Sequence, residues 1–344
     1  MLSLDAAITV TLARLDGRVA AVRVGSTRRT DAARLLAGRD GATVTPLLPT
    51  VFALCGTAQA AAGMAAIEAA THTRAAPAQL IARNVLLLAE TAAEHAVGML
   101  RDAPALLGEP ADLGAAKGVR PALAALRKAL YPDGDWHRPG GGRLAPHTDD
   151  AAQALSRLQA AADAAQPLAE RLARRIEADG LAGLGGAPCP FMPHGGPPDL
   201  DARLAADDGA YVARPSHGGV VYETGPLARH PEFGKGVGAR LAARMAELDI
   251  TLHEAALLMH DCANHPAAPA PVGSGTGLGR ADAARGLLVH RVEVEQGRVT
   301  RYQILAPTEW NFHPDGPLVR GLAGSAADEG LEWRAGLLAM ALDP

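Results

Sequence analysis

Cysteine is scarce in this chain. Its 344 residues include three, Cys55, Cys189 and Cys262, which lie far apart and form no C-x-x-C pair. That argues against a disulfide scaffold and excludes a closed cysteine-rich zinc site. Aromatic residues make up only 3%. Lysine is nearly missing: of 33 basic residues only Lys117, Lys128 and Lys235 are not arginine. We read that bias as coding composition rather than chemistry. Charge of one sign is also lacking. A formal net charge of −4 argues against a surface built to grip nucleic acid. No run of about 18 uncharged apolar residues exists, so no membrane insertion is expected. The nearest candidate, Val85 to Leu88, ends at Glu90. The opening MLSLDAAITV has no basic segment followed by a long apolar stretch, so it does not read as a signal peptide. A cytoplasmic location is expected.

What the chain has is apolar bulk, 48% of residues, much of it alanine and leucine. The length is enough to bury a substantial core. The pattern predicts an α+β protein, mainly helical, as one domain over 1–344. It divides into an N-terminal β region (1–50), a helical region (51–180) and a mixed C-terminal region (181–344). Asp16-Gly17 between two alternating runs predicts a hairpin. Thr30 or Asp31 is placed to cap a short helix through Leu36. Pro46 and Pro49 are expected to bracket a rigid loop leading to Cys55. Helices are predicted over 58–70, 77–102, around Leu123–Leu130, over 149–179 (with Pro167 as a possible kink), 241–260 and 329–342. The Gly- and Pro-rich segments 131–146 and 180–198 read as loops, the first on the surface. Segments 286–293 and 298–305 flank Gln296-Gly297 and predict a second hairpin.

Three features invite chemistry. The stretch Gly273-Ser-Gly-Thr-Gly-Leu-Gly279 resembles a phosphate loop, but no G-x-G-x-x-G register fits and no G-K-[ST] follows. A structural loop is the better reading. His253, His260, Cys262 and His265 lie within thirteen residues, yet their spacing matches no standard metal site. A helix terminus carrying polar residues accounts for them as well. Cys55 stands where a Pro-bounded loop enters a helix. A helix N-terminus favours a thiolate, which suits metal ligation or nucleophilic chemistry, although a single cysteine is often just a small buried residue.

Several segments, in order, resemble the large subunit of nickel-iron hydrogenases. Glu223-Thr-Gly-Pro-Leu-Ala-Arg229 resembles its E-V-G-P-L-A-R segment, and Asp282-Ala-Ala-Arg-Gly286 its E-A-P-R-G loop. Tyr302 through Pro307-Thr-Glu-Trp-Asn311 resembles Y-x-x-V-x-P-T-x-W-N, and Asp343-Pro344 the start of its D-P-C-x-x-C motif. Cys55-Gly56 falls on R-I-C-G-x-C, with Arg83-Asn84 and Glu94-His95 in the helix that follows. The departures matter equally. Ala58 stands for the second cysteine of the first motif, Ala62 for its closing histidine, and Ala284 for the proline of E-A-P-R-G. The N-terminal R-I-E-G-H has no counterpart before Ile8, and the sequence stops at Pro344, before the second cysteine pair would begin.

This combination resembles the HupK/HoxV type of hydrogenase maturation protein, a catalytically silent relative of the large subunit. The resemblance implies a non-enzymatic scaffold for an iron–dicyano–carbonyl unit, with no nickel and no hydrogen turnover. It implies Cys55 as the metal ligand. Arg285, Thr308 and Asp343 match family residues that line the pocket, the first two as donors to cyanide. These four residues are expected to converge on one pocket. The implied partners are a HypC-type small chaperone, a HypD-type iron–sulfur protein and the hydrogenase large-subunit precursor. Two alternatives remain: a degenerate enzyme using the His253–His265 region, and a metal-free structural subunit.

Overall fold

Asp16 and Gly17 adopt positive φ (50° and 71°), the geometry a two-residue hairpin needs, and join β1 (Ile8–Leu15) to β2 (Arg18–Ser26). The structure, a computed structural model, describes residues 7–111, 113–186 and 189–343. A 3-10 turn, Ala32–Leu36, follows Asp31, whose side chain pairs with Arg29 instead of capping it.

The loop expected around Pro46 and Pro49 is a helix, α1 (Gly41–Val51), with both prolines inside it. Each proline removes one backbone N–H bond. Burial of Gly41, Val44, Thr45 and Leu48, the two apolar ones in a core shared with α2 (Gly56–Thr71), outweighs that loss. Then come α3 (Pro77–Leu107), α4 (Val119–Leu130) and α5 (Thr148–Ala178), the last amphipathic, with Leu155, Leu158, Leu172 and Ile176 on its buried face. The connection 131–147 is not a surface loop throughout. Tyr131 and Leu144 are buried, Tyr131 donates to Gln79 (2.8 Å), and Gln79 donates to the Gly142 carbonyl (2.7 Å).

Short helices α6 (Leu200–Ala206), α7 (Ala210–Ala213) and α8 (Pro226–Arg229) precede the long α9 (Gly236–Met259). Strands β3 (Gly275–Ala283), β4 (Gly286–Glu295) and β5 (Arg298–Leu305) form an antiparallel sheet in that order. The predicted hairpin is its β4–β5 half. Three helices close the chain: α10 (Pro307–Asn311), α11 (Pro317–Leu322) and α12 (Leu331–Leu342).

From Gly275 on, the glycine-rich stretch is a strand rather than a loop, and its glycines have a packing reason. A Cβ on Gly277 would lie 1.9 Å from the Ala66 carbonyl oxygen, and one on Gly279 1.9 Å from that of Ala62. Only hydrogen at these positions lets β3 lie directly on α2.

Among the described residues three larger apolar cores result, beside a small cluster of Leu227, Ala239 and Ala243. α3, α4, α5, α9 and α12 share a large helical one. α1, α2 and the inner sheet face (Leu288, Val292, Tyr302, Ile304) share the second. The outer sheet face (Leu287, Val289, Leu305) packs with Trp310 and the 192–221 region. Among the described residues no single helix is long and apolar enough to cross a membrane.

Candidate functional site

α1 and the segment running into α2 meet at 93°, and Cys55 sits at that corner as the residue before α2. The corner is tight. A Cβ on Gly56 would lie 3.0 Å from the Pro49 Cβ, so the Cys-Gly order lets the two helices close.

The first N–H groups of α2 need acceptors, and α3 supplies one carboxylate for both. Glu90 accepts from Thr57 N (2.7 Å) and Ala58 N (2.9 Å). Arg127 of α4 donates to the Thr57 hydroxyl (2.6 Å) and to Glu90 (3.4 Å), while stacking 4.8 Å above Trp136. This arrangement overturns the expectation that the helix terminus favours a Cys55 thiolate. Burial pushes the thiol up to about 11, the Glu90 charge adds to the rise, and Arg285 and the Gln59 hydrogen bond pull against it. Cys55 is therefore a thiol at neutral pH until something displaces its proton.

One turn along α3, Glu94 accepts from Arg285 Nη1 (3.2 Å). Arg285 follows β3 and also faces Asp343, Nη2 to Oδ1 3.7 Å. Asp343 follows α12 with a left-handed φ of 52°, and its other oxygen lies 2.7 Å from Arg244 Nη2 of α9. Burial alone would raise Asp343, but Arg244 and Arg285 outweigh it and hold the carboxyl below its usual range. Glu94 has the opposite balance: burial pushes it up to about 7 against the pull of Arg285. A second buried set lies behind. Glu247 takes His95 Nε2 at 2.7 Å and a two-pronged contact from Arg229 at 2.5 and 2.7 Å. Arg240 pairs in the same forked way with Glu223, at 2.8 and 2.7 Å.

Of the four residues expected to converge, Arg285 and Asp343 are in direct ionic contact, and Cys55 is near enough to Arg285 for each to perturb the other. Thr308 is buried in α10. Asn311, at the other end of α10, accepts from Thr224 N (3.0 Å) and donates to the Thr224 and Leu342 carbonyls. Ala58 and Ala62, standing for a cysteine and a histidine, are fully buried in the α2–sheet core.

The histidine–cysteine segment 253–265 does not assemble a site. His253 and His260 are exposed, Cys262 is half-buried, and His265 Nδ1 bonds the next carbonyl, that of Pro266 (2.9 Å). Among the described residues no group of three or more His, Cys, Asp or Glu is arranged to hold a metal ion. What the site does assemble is one sulfur and a planar guanidinium held by the carboxylates of Glu94 and Asp343.

Sequence reasoning missed Glu90 as the helix cap, Gln59 beside the sulfur, and the α9 charges Arg244 and Glu247. One signal was readable. Glu90 and Glu94 are spaced i, i+4 on the apolar face of α3, so both carboxylates must enter the core together.

A nickel-dependent hydrogenase family model matches residues 235–321. The hydrogenase expression/formation protein HupK of Bradyrhizobium diazoefficiens is 31% identical over 94% of this chain and 90% of its own. HoxV of Cupriavidus necator, also a hydrogenase expression/formation protein, is 32% identical over 91% of this chain and 88% of its own. Among solved structures, the as-isolated oxidized Ni-Fe-Se hydrogenase of Desulfovibrio vulgaris Hildenborough superposes with a TM-score of 0.75 at 16% identity. That superposition covers 98% of this chain and 95% of the other, and shows a shared fold.

Proposed function

The chain belongs to the HupK/HoxV family of hydrogenase expression/formation proteins, and from that premise we propose that it is a non-catalytic assembly scaffold in nickel-iron hydrogenase maturation. Its cargo is the iron–dicyano–carbonyl unit, held through the Cys55 sulfur and handed on. One observation carries this reading: a single sulfur stands beside a buried guanidinium, Arg285, that Glu94 and Asp343 hold from both sides. Cyanide ligands are hydrogen-bond acceptors, and a fixed guanidinium is a good planar donor to them. Thr308, buried in α10, is the second donor implied by the family match. Asp343 acts by orienting Arg285.

The same site argues against hydrogen turnover. At the first motif, where a hydrogenase presents two thiolates and a histidine, this chain has Cys55, Ala58 and Ala62. The Ala58 N–H is committed to Glu90. Nickel is therefore not part of the reading. The partners are those that deliver and receive the cargo: a HypC-type chaperone, a HypD-type iron–sulfur protein and the large-subunit precursor.

The test is infrared spectroscopy with iron analysis on protein purified without oxygen from cells carrying the maturation machinery. Cyanide and carbonyl bands are expected in the wild type and absent in Cys55→Ser, whose fold is intact by circular dichroism. Bands unchanged in Cys55→Ser place the ligand elsewhere. Hydrogen turnover by the nickel-supplemented protein, or failure to associate with any of the three partners, counts against the assembly role.

A further inference from the structure

The sulfur of Cys55 is the end of a buried hydrogen-bond relay. Gln59 Nε2 donates to Cys55 Sγ at 3.6 Å. Gln59 Oε1 lies 2.9 Å from His290 Nε2, and His290 Nδ1 lies 2.8 Å from the Tyr302 hydroxyl. Gln59, His290 and Tyr302 are 4%, 0% and 3% exposed, so the whole relay is buried. The three come from α2, β4 and β5. Space is cleared for the contact by Gly63, where a Cβ would lie 2.8 Å from the Tyr302 oxygen.

The relay has a direction, which follows from its far end. Among the described residues the Tyr302 hydroxyl has one partner, His290 Nδ1. If that phenol donates, Nδ1 is the bare nitrogen, Nε2 carries the proton, and the Gln59 carbonyl oxygen accepts it. The Gln59 amide NH₂ then faces the sulfur. In the reverse polarity Nδ1–H donates to the phenol oxygen, and the buried O–H hydrogen has no acceptor. An unmade buried hydrogen bond is the costlier state. Burial also holds His290 down to about 3, so the ring stays neutral and keeps one donor and one acceptor.

We propose that Gln59 is a positioning residue whose amide, locked by His290 and Tyr302, directs an N–H donor at the Cys55 sulfur and so tunes that sulfur as the ligand to the iron cargo. The inference rests on the Cys55 reading above. Its consequence is a weakened donor. An N–H bonded to a thiolate draws away electron density that would otherwise pass to the metal. A carrier that must release what it holds benefits from such a ligand.

Two measurements test this. Nitrogen-15 NMR of histidine-labelled protein without cargo, with His290 assigned through His290→Gln, is expected to show Nε2 protonated and Nδ1 bare. Tyr302→Phe removes the donor that sets the polarity, so the ring should then populate both tautomers. A wild-type ring protonated at Nδ1 overturns the proposal. In the cargo-loaded protein, Gln59→Leu frees the sulfur to donate more strongly to iron, and the carbonyl stretch should move to lower wavenumber. Tyr302→Phe should move it the same way by less, and carries this arm if Gln59→Leu does not fold. Bands lost in Cys55→Ser but unmoved by both relay variants overturn this inference and leave the Cys55 reading standing. Bands that survive Cys55→Ser overturn both.

Discussion

Gly279→Ala puts the contact between β3 and α2 to a direct test. The added methyl would lie 1.9 Å from the Ala62 carbonyl oxygen, 2.5 Å from Ala66 N and 3.0 Å from the Ala62 carbonyl carbon. These are backbone atoms inside a buried helix, so no side chain can swing aside. Ordinary contact begins near 3.4 Å, so the strand must lift by roughly 1.5 Å, well beyond what a close-packed core absorbs. Overpacking alone typically costs about 1–3 kcal/mol. A further loss follows from register. Gly279 is directly opposite His290, so lifting it pulls the ring away from Gln59, where the bond is 2.9 Å. Adding a buried bond left unmade, about 1–3 kcal/mol, we expect destabilisation of about 3–5 kcal/mol. Urea unfolding followed by circular dichroism reads it as a lower midpoint at unchanged slope. Gly118→Ala is the control: it is exposed, helical at φ −77°, and a Cβ there meets nothing within 4 Å. It should be neutral or stabilise by about 0.5–1 kcal/mol. Gly277→Ala should resemble Gly279→Ala, and the double variant should cost less than the two together, because one lifted strand relieves both clashes. A Gly279→Ala protein within about 1 kcal/mol of wild type would refute the packing argument.

Glu247 gives a pH prediction. Burial alone would raise it, but hydrogen bonds from His95 and Arg229 bring it from 4.5 down to about 2. A depressed carboxyl stabilises the fold above its unfolded pKa, so this contribution, about 3 kcal/mol, should be present above pH 4.5 and drain away towards pH 2. Glu247→Gln should be less stable at neutral pH and flatter across that window; parallel acid-denaturation curves for the two proteins would contradict the pairing. Glu90→Gln should separate stability from reactivity. It loses one of two helix-capping bonds, costing about 1–2 kcal/mol in thermal or urea unfolding. It also removes a charge that raises the Cys55 thiol, so iodoacetamide should label Cys55 faster at fixed pH. A variant that is destabilised but labels no faster would show that Glu90 does not act on the sulfur.

Much of the fold was legible because it depends on local pattern. Asp16-Gly17 names its turn, and the leucine spacing of α4 and α5 names their buried faces. The misses share a cause, which is that the deciding partner lies far away in sequence. Pro46 and Pro49 look like helix breakers until Leu48 is seen buried in the core that α2 shares with the sheet. Gly277 and Gly279 look like a loop until Ala62 and Ala66 are placed beneath them. Motif order put Arg285 and Asp343 in one pocket, because each residue could be matched separately, but not as the ion pair they form. The thiol state of Cys55 could not be anticipated. It depends first on burial, and then on Glu90, thirty-odd residues on, which takes the helix terminus that the thiolate was expected to exploit.

On the proposed reading, that competition explains why one sulfur can suffice for a scaffold. A carboxylate already caps Thr57 and Ala58, so α2 offers the sulfur little help in staying ionised. What would favour the ionised, metal-bound form is the Arg285 charge and the Gln59 amide, both of which lower the thiol's pKa. Binding then displaces a proton, and release restores a thiol that the buried site prefers. An enzyme that must keep its metal through many turnovers gains from several thiolates and a closed shell. A carrier has the opposite need, since every added ligand deepens the well from which the cargo must escape. On the proposed reading, Ala58 and Ala62 are part of how the site works. They confine the anchoring to one bond, and the polar shell of Arg285, Asp343, Glu94 and Arg244 orients the cargo without adding ligands that would have to be broken at hand-over.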